Sequence, residues 1–97
     1  MPVVHIDREL SSLVPRFLEN CARYVGDLRE AIAKSDLDSV RQIGHSLKGV
    51  GGGYGFAEIT RLGAVIESAA QAGNLATAQA AIDELAQFLA AVQVDYV

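Results

Sequence analysis

The chain has 97 residues, a formal net charge of −4 and a single cysteine, which fits one domain and excludes an internal disulfide framework. Lysines and arginines are not clustered, so nucleic acid is not an expected partner. No apolar run approaches the roughly 20 residues that span a bilayer, so no membrane role is expected. The start, Met1-Pro2-Val3-Val4-His5, lacks the basic region and long apolar stretch of a signal peptide. The expected compartment is the cytoplasm, and the initiating Met1 favours a free protein over a piece of a larger one.

Helical spacing dominates and no strand is predicted. Asp7 can cap a short first helix that runs through Arg8-Glu9-Leu10 to about Leu13. A long second helix follows, with Pro15 tolerated in its first turn. Its apolar residues Val14, Phe17, Leu18, Cys21, Val25, Leu28 and Ile32 recur every three or four positions and form one face. Cys21 lies on that stripe and is read as core. Ser35-Asp36 break the helix, and Asp36 can cap the third.

The third helix turns Leu37, Val40, Ile43, Leu47 and Val50 inward and is expected to dissolve in Gly51-Gly52-Gly53-Tyr54-Gly55. The fourth starts near Phe56 and buries Ile59, Leu62, Ile66, Ala69 and Ala70. Gly73 ends it and Asn74 caps the fifth, which buries Leu75, Ala78, Ile82, Leu85, Leu89 and Val92. The turns Ser35-Asp36-Leu37 and Gly73-Asn74-Leu75 look alike because they share capping chemistry, not because the sequence repeats. Every connection is short, so the long helices should be antiparallel neighbours. The expected architecture is all-α: residues 1–97 form a single antiparallel up-and-down four-helix bundle with a short additional N-terminal helix.

On a wheel of about 100° per residue, the apolar residues of the third helix fall within roughly 140°. His45 points away from them, and Arg41, Gln42 and Lys48 share its outward side. Gly49 and Gly52, one and two turns beyond His45, leave one side of the ring bare. Interior glycines cost a helix about 1 kcal/mol each relative to alanine, so they call for a reason. Gly44 lies near the buried side, where tight packing supplies one. Gly49 lies beside the histidine, where access by another molecule supplies another. A neutral imidazole is a good nucleophile near pH 7. Lys48, three residues on, can offset negative charge on a group held by the ring. Folding the third and fourth helices into a hairpin centred near residues 54–56 brings Glu67 level with His45. A carboxylate there could accept the Nδ1 hydrogen and leave Nε2 unprotonated and outward. On geometry alone, an ordinary solvated or salt-bridged surface carboxylate is the competing reading of Glu67.

The run Gly44-His45-Ser46-Leu47-Lys48-Gly49, followed by Gly55, Leu62 and Ile66-Glu67, resembles the histidine phosphotransfer (HPt) domain family over nearly the whole chain. The resemblance implies that His45 is the phosphoacceptor, that Lys48 assists the phosphoryl group and that Glu67 orients the histidine. It further implies exchange with the aspartate of a response-regulator receiver domain that holds Mg²⁺. A sensor histidine kinase is a second possible partner, and no kinase activity or cofactor belongs to this chain. No phosphate-binding Gly-x-x-x-x-Gly-Lys-Ser/Thr run occurs. Two departures are mild: position 44 is Gly where Ala is common, and the Gly51-Gly52-Gly53 run softens the helix end. Docking is expected on Arg41, Gln42, Gly49, Gly52 and nearby parts of the second helix, with the protein acting as a monomer.

Two other readings compete. A metal site of His5, Asp7 and Glu9 is rejected, because no Glu-x-x-His pair occurs and His5 is placed in a frayed tail. A non-catalytic helical adaptor bundle would bind a partner helix without chemistry. It gives no reason for Lys48, Gly49 and Glu67 to surround one exposed histidine.

Overall fold

A computed structural model describes residues 2–97; Met1, the expected initiating residue, lies outside them. Four helices carry the fold: α1 (Val14–Ala33), α2 (Leu37–Tyr54), α3 (Ala57–Gln71) and α4 (Leu75–Ala91). They correspond to the second to fifth predicted helices. Each packs on the next and α4 returns to α1, closing a ring around one core. Phe17, Cys21, Leu28, Leu47, Phe56, Ile59, Leu62, Ile66, Ile82 and Leu85 all lie inside it. Burial also pushes the Cys21 thiol up to about 11, leaving it un-ionised and inert at neutral pH. No described helix is long and apolar enough to cross a membrane.

The three inter-helix turns share one construction. Each helix ends on a left-handed residue, Ser35 (φ 54°), Gly55 (φ 83°) or Gly73 (φ 70°). The next amide then reaches back: Asp36 to the Ala31 carbonyl at 2.9 Å, Phe56 to Gly51 at 2.9 Å and Asn74 to Ala69 at 2.9 Å. This satisfies carbonyls that the helix end would leave open. Asp36 and Asn74 then cap α2 and α4 by accepting from the Ser39 and Thr77 amides. The shared capping chemistry expected of these turns is present, although Ser35 adopts the left-handed conformation without being glycine.

Several expectations are corrected. The short N-terminal helix is a single 3-10 turn at Arg8–Leu10. Asp7 does cap it, accepting from the Glu9 amide at 2.9 Å, but six residues are too few to nucleate an α-helix without a packed face. The structure also contains strands: β1 (Val3–Ile6) and β2 (Gln93–Tyr96) pair in parallel, with Val3 opposite Gln93 and Ile6 opposite Tyr96. The whole bundle is the crossover between them. His5 is therefore held in a strand, opposite Asp95, and not frayed. The helix of His45 runs through Gly51-Gly52-Gly53 to Tyr54. Val50 and Leu75, both expected inside, are 36% and 39% exposed. Val50 faces an open groove against α1, and Leu75 opens α4 at an uncovered end of the bundle. Core residues outside the predicted stripes are Ile6, Ala31, Phe56, Ala81 and Phe88.

α2 and α3 make the most intimate contact. A Cβ on Gly63 would lie 2.5 Å from the Lys48 amide nitrogen and 2.8 Å from the Gly44 carbonyl oxygen. A Cβ on Gly53 would meet nothing within 4 Å. The two glycines should therefore respond to alanine with opposite signs. Gly53→Ala is expected to stabilise the domain by about 0.5–1 kcal/mol through helix propensity. Gly63→Ala is expected to destabilise it by about 1–3 kcal/mol through overpacking. Urea denaturation measures both, and equal shifts for the two variants would contradict this packing.

Candidate functional site

The inward positions of α2 are Val40, Gly44, Leu47 and Gly51. His45 follows Gly44 by about 100° of helix rotation and so turns outward; its side chain is 67% exposed. Beneath it, Gly44 meets the backbone of α3. A Cβ at Gly44 would stand 2.7 Å from the Glu67 amide nitrogen and 3.0 Å from the Gly63 carbonyl oxygen. The missing side chains let the two backbones approach, and Glu67 reaches across the seam. Its Oε2 lies 2.7 Å from His45 Nδ1 and its Oε1 lies 3.1 Å from Lys48 Nζ. The carboxylate side chain is only 13% exposed, against 44% for the lysine.

One carboxylate thus serves two donors. The hydrogen bond from Lys48 first, and that from His45 second, hold the Glu67 carboxyl below its usual range. An ionised carboxylate only accepts, so Nδ1 of His45 must carry the hydrogen that it donates. In the neutral ring, Nε2 then keeps its lone pair, and among the described residues nothing hydrogen-bonds to it. The result is an imidazole with its nucleophilic nitrogen turned to water and its other nitrogen fixed.

The structure brings together His45, Lys48 and Glu67, the three residues singled out from the sequence. It places Lys48 differently from the simplest expectation, since the ammonium rests on Glu67. Gly49 and Gly52 are exposed along the same side of α2. Arg41 and Gln42 are both committed to Asp38, donating to its Oδ1 at 3.0 Å and its Oδ2 at 3.1 Å. Gly63 was not singled out. Its signal was a glycine on the buried stripe of Ile59, Leu62 and Ile66, one turn before Glu67. Among the described residues no group of three or more His, Cys, Asp or Glu side chains could hold a metal. His5 lies 3.2 Å from Asp95 with both side chains largely exposed.

A family model of the Hpt domain matches residues 12–95, a span that takes in all four helices and the His45 site. The chain belongs to the Hpt domain family. No curated protein and no solved structure matches it significantly. Hpt domains are histidine-containing carriers of phosphorelay signalling rather than catalysts, and the family interacts with response-regulator receivers and histidine kinases. The match begins after β1 and the 3-10 turn and ends within β2.

The forked contact at Glu67 has a measurable consequence. Because Lys48 is the leading cause of the lowered Glu67 titration, Lys48→Ala should raise the Glu67 midpoint toward the ordinary carboxylate value. The contact to His45 should then be lost at a higher pH as the solution is acidified. Carboxyl ¹³C shifts followed by NMR report this midpoint. An unmoved midpoint in the variant would show that the lysine does not hold the carboxylate.

Proposed function

We propose that this Hpt domain accepts a phosphoryl group on Nε2 of His45 from the phosphoaspartate of a response-regulator receiver, and returns it to such an aspartate. In the accepting step the Nε2 lone pair forms the N–P bond while the P–O bond to the partner's aspartate breaks. The P–O electron pair leaves with that carboxylate. Nδ1 keeps its hydrogen, so the ring becomes cationic and Glu67 faces the new charge. Such a transfer asks mainly for positioning and charge stabilisation. Lys48, one helical turn from His45, is assigned to offset the charge of the phosphoryl group. Mg²⁺ is assigned to the receiver, and this chain supplies no cofactor and no kinase activity. Gly49 and Gly52 clear the approach, with Arg41 and Gln42 at its border.

The observation that carries this assignment is the pairing of an exposed imidazole with a mostly buried carboxylate at Nδ1. A carboxylate so placed fixes a tautomer, and a tautomer matters to chemistry at the other nitrogen. A purely adaptor bundle would have no use for it. The protein is taken to work as a cytoplasmic monomer, partnered by a receiver and a sensor histidine kinase, with no role for nucleic acid or membrane.

The test is phosphoryl transfer from ³²P-labelled receivers of the same organism. The label on this domain should be acid-labile and base-stable. His45→Gln should abolish it with an unchanged circular dichroism spectrum, whereas His5→Gln should leave it intact. Label retained in a folded His45→Gln protein would place the acceptor elsewhere, and no label on the wild-type domain from any receiver would favour the adaptor.

A further inference from the structure

The sheet of β1 and β2 has only two strands, so each strand has one edge bonded to its neighbour and one edge free. The phase of the bonding decides which groups lie on the free edges. Gln93 donates to the Pro2 carbonyl at 2.9 Å, Val97 to the Ile6 carbonyl at 2.9 Å and Arg8 to the Val97 carbonyl at 3.0 Å. Along a strand, successive residues turn their amides and carbonyls to opposite edges. Gln93, Asp95 and Val97 therefore bond toward β1, and Val94 and Tyr96 point the other way. Among the described residues nothing outside the sheet hydrogen-bonds to the backbone of Val94 or Tyr96.

The side chains of β2 give this free edge a chemical character. Val94 and Tyr96 face the bundle but are only half-buried, whereas Ile6, opposite Tyr96 on β1, is 2% exposed. The apolar layer beneath the sheet is thus unfinished along β2. On the outer face the Asp95 side chain is 60% exposed, and its one partner, the His5 ring at 3.2 Å, stands on the β1 side. The strand Gln93-Val94-Asp95-Tyr96 has no proline, lysine or bulge of the kind that closes an edge. Two copies of β2 meeting across a two-fold axis through Asp95 would set this carboxylate against its own copy, as the closest cross-strand pair. That repulsion disfavours a second copy, and the same carboxylate favours a cation.

We propose that the free edge of β2 binds an extended segment of another protein by strand addition, a segment in which apolar residues alternate with lysine or arginine. Its backbone pairs with the amides and carbonyls of Val94 and Tyr96. Its apolar residues continue the half-covered layer beneath the sheet, and its cations flank Asp95 on the outer face. A third strand also strengthens a sheet that two strands leave marginal. The sheet lies at the bundle end that holds the α2–α3 turn, where Ile6 meets Gly55. A segment captured there leaves the His45 imidazole free. A protein held by such a segment meets His45 at a raised effective concentration. The surface stands independently of the proposed exchange with a receiver.

The experiment is an NMR titration of the full ¹⁵N-labelled chain with acetyl-Val-Lys-Val-Lys-Val-amide and with its glutamate counterpart. The lysine peptide should give saturable shifts, with the Val94 and Tyr96 amide protons moving downfield most, as donors do on gaining an acceptor. It should bind about fivefold tighter than the glutamate peptide, and Asp95→Lys should reverse that order. Of two lysine peptides N-methylated at alternate positions, one should lose binding and the other keep it, because a strand offers one edge to its neighbour. Chemical labelling of His45 by potassium phosphoramidate should be unchanged at saturating peptide. The proposal is overturned by the absence of saturable shifts up to about 10 mM peptide, by shifts centred on β1 or α2, or by an unaltered order in a folded Asp95→Lys protein. It is also overturned by a wild-type chain that sediments as a dimer with the Val94 and Tyr96 amides already protected from exchange, since a second copy then holds the edge.

Discussion

The contact between α2 and α3 is made backbone to backbone, and the geometry of the His45 site follows from it. Gly44 and Gly63 stand opposite each other, each so close to main-chain atoms of the other helix that a Cβ on either would overlap them. Glu67 therefore starts from a backbone already beside His45, and its short side chain spans the remaining distance to give a 2.7 Å contact. A side-chain contact that lengthens to about 3.6 Å is no longer a hydrogen bond. A helix pair held apart by ordinary side chains, at an axial separation of about 8–10 Å, would leave that reach less certain. The other inter-helix links, Arg29 to Asp83 and Arg61 to Glu84, join exposed side chains. Pairs of that kind contribute about 0–1 kcal/mol and follow the packing instead of setting it.

With the distance fixed by the backbone, the character of the site depends on Glu67 being a carboxylate. An amide in its place could present either a donor or an acceptor to Nδ1. A carboxylate presents only acceptors, so one tautomer of the neutral ring is selected. The negative charge would be costly at a position 13% exposed if it stood alone, and Lys48 sits on its other oxygen. In the proposed transfer the balance shifts. The ring gains positive charge beside Glu67, the carboxylate loses its need for the lysine, and the ammonium becomes free to serve the phosphoryl group. The three side chains, neutral in sum before the transfer, then carry a net charge of +1, which offsets part of the roughly −2 charge of the phosphoryl group.

The sequence carried the long helices, their caps and the His45–Lys48–Glu67 cluster, because each is written in local spacing. Asp36 and Asn74 precede helical stripes at capping distance, and Glu67 lies as far past the α2–α3 turn as His45 lies before it. What was not legible depended on partners far away in the chain. Val3-Val4-His5-Ile6 and Gln93-Val94-Asp95-Tyr96 are each too short for their alternation to stand out, and neither reveals that the other exists. The glycine run at 51–53 looked like a helix end because glycine is a poor helix former. In the fold, Gly51 is instead a buried contact, where a Cβ would lie 2.7 Å from the Thr60 amide. Packing outweighed propensity there, and only the identity of the facing helix could have shown it.

The terminal strands act on the site from a distance. A two-stranded sheet is marginal by itself, and this one is tied to the bundle by Ile6, 2% exposed. The side chain of Ile6 lies over Gly55, where a Cβ would come within 3.3 Å of it. Gly55 and the buried Phe56 form the turn that joins α2 to α3. That turn sets the register of the two helices, and the register decides which residue of α3 stands level with His45. Burial of one strand residue at the bundle end therefore supports the alignment of Glu67 with His45 three turns away. The bare face of α2 between them can then remain free of side chains, because the inner face and the turn already hold the helix.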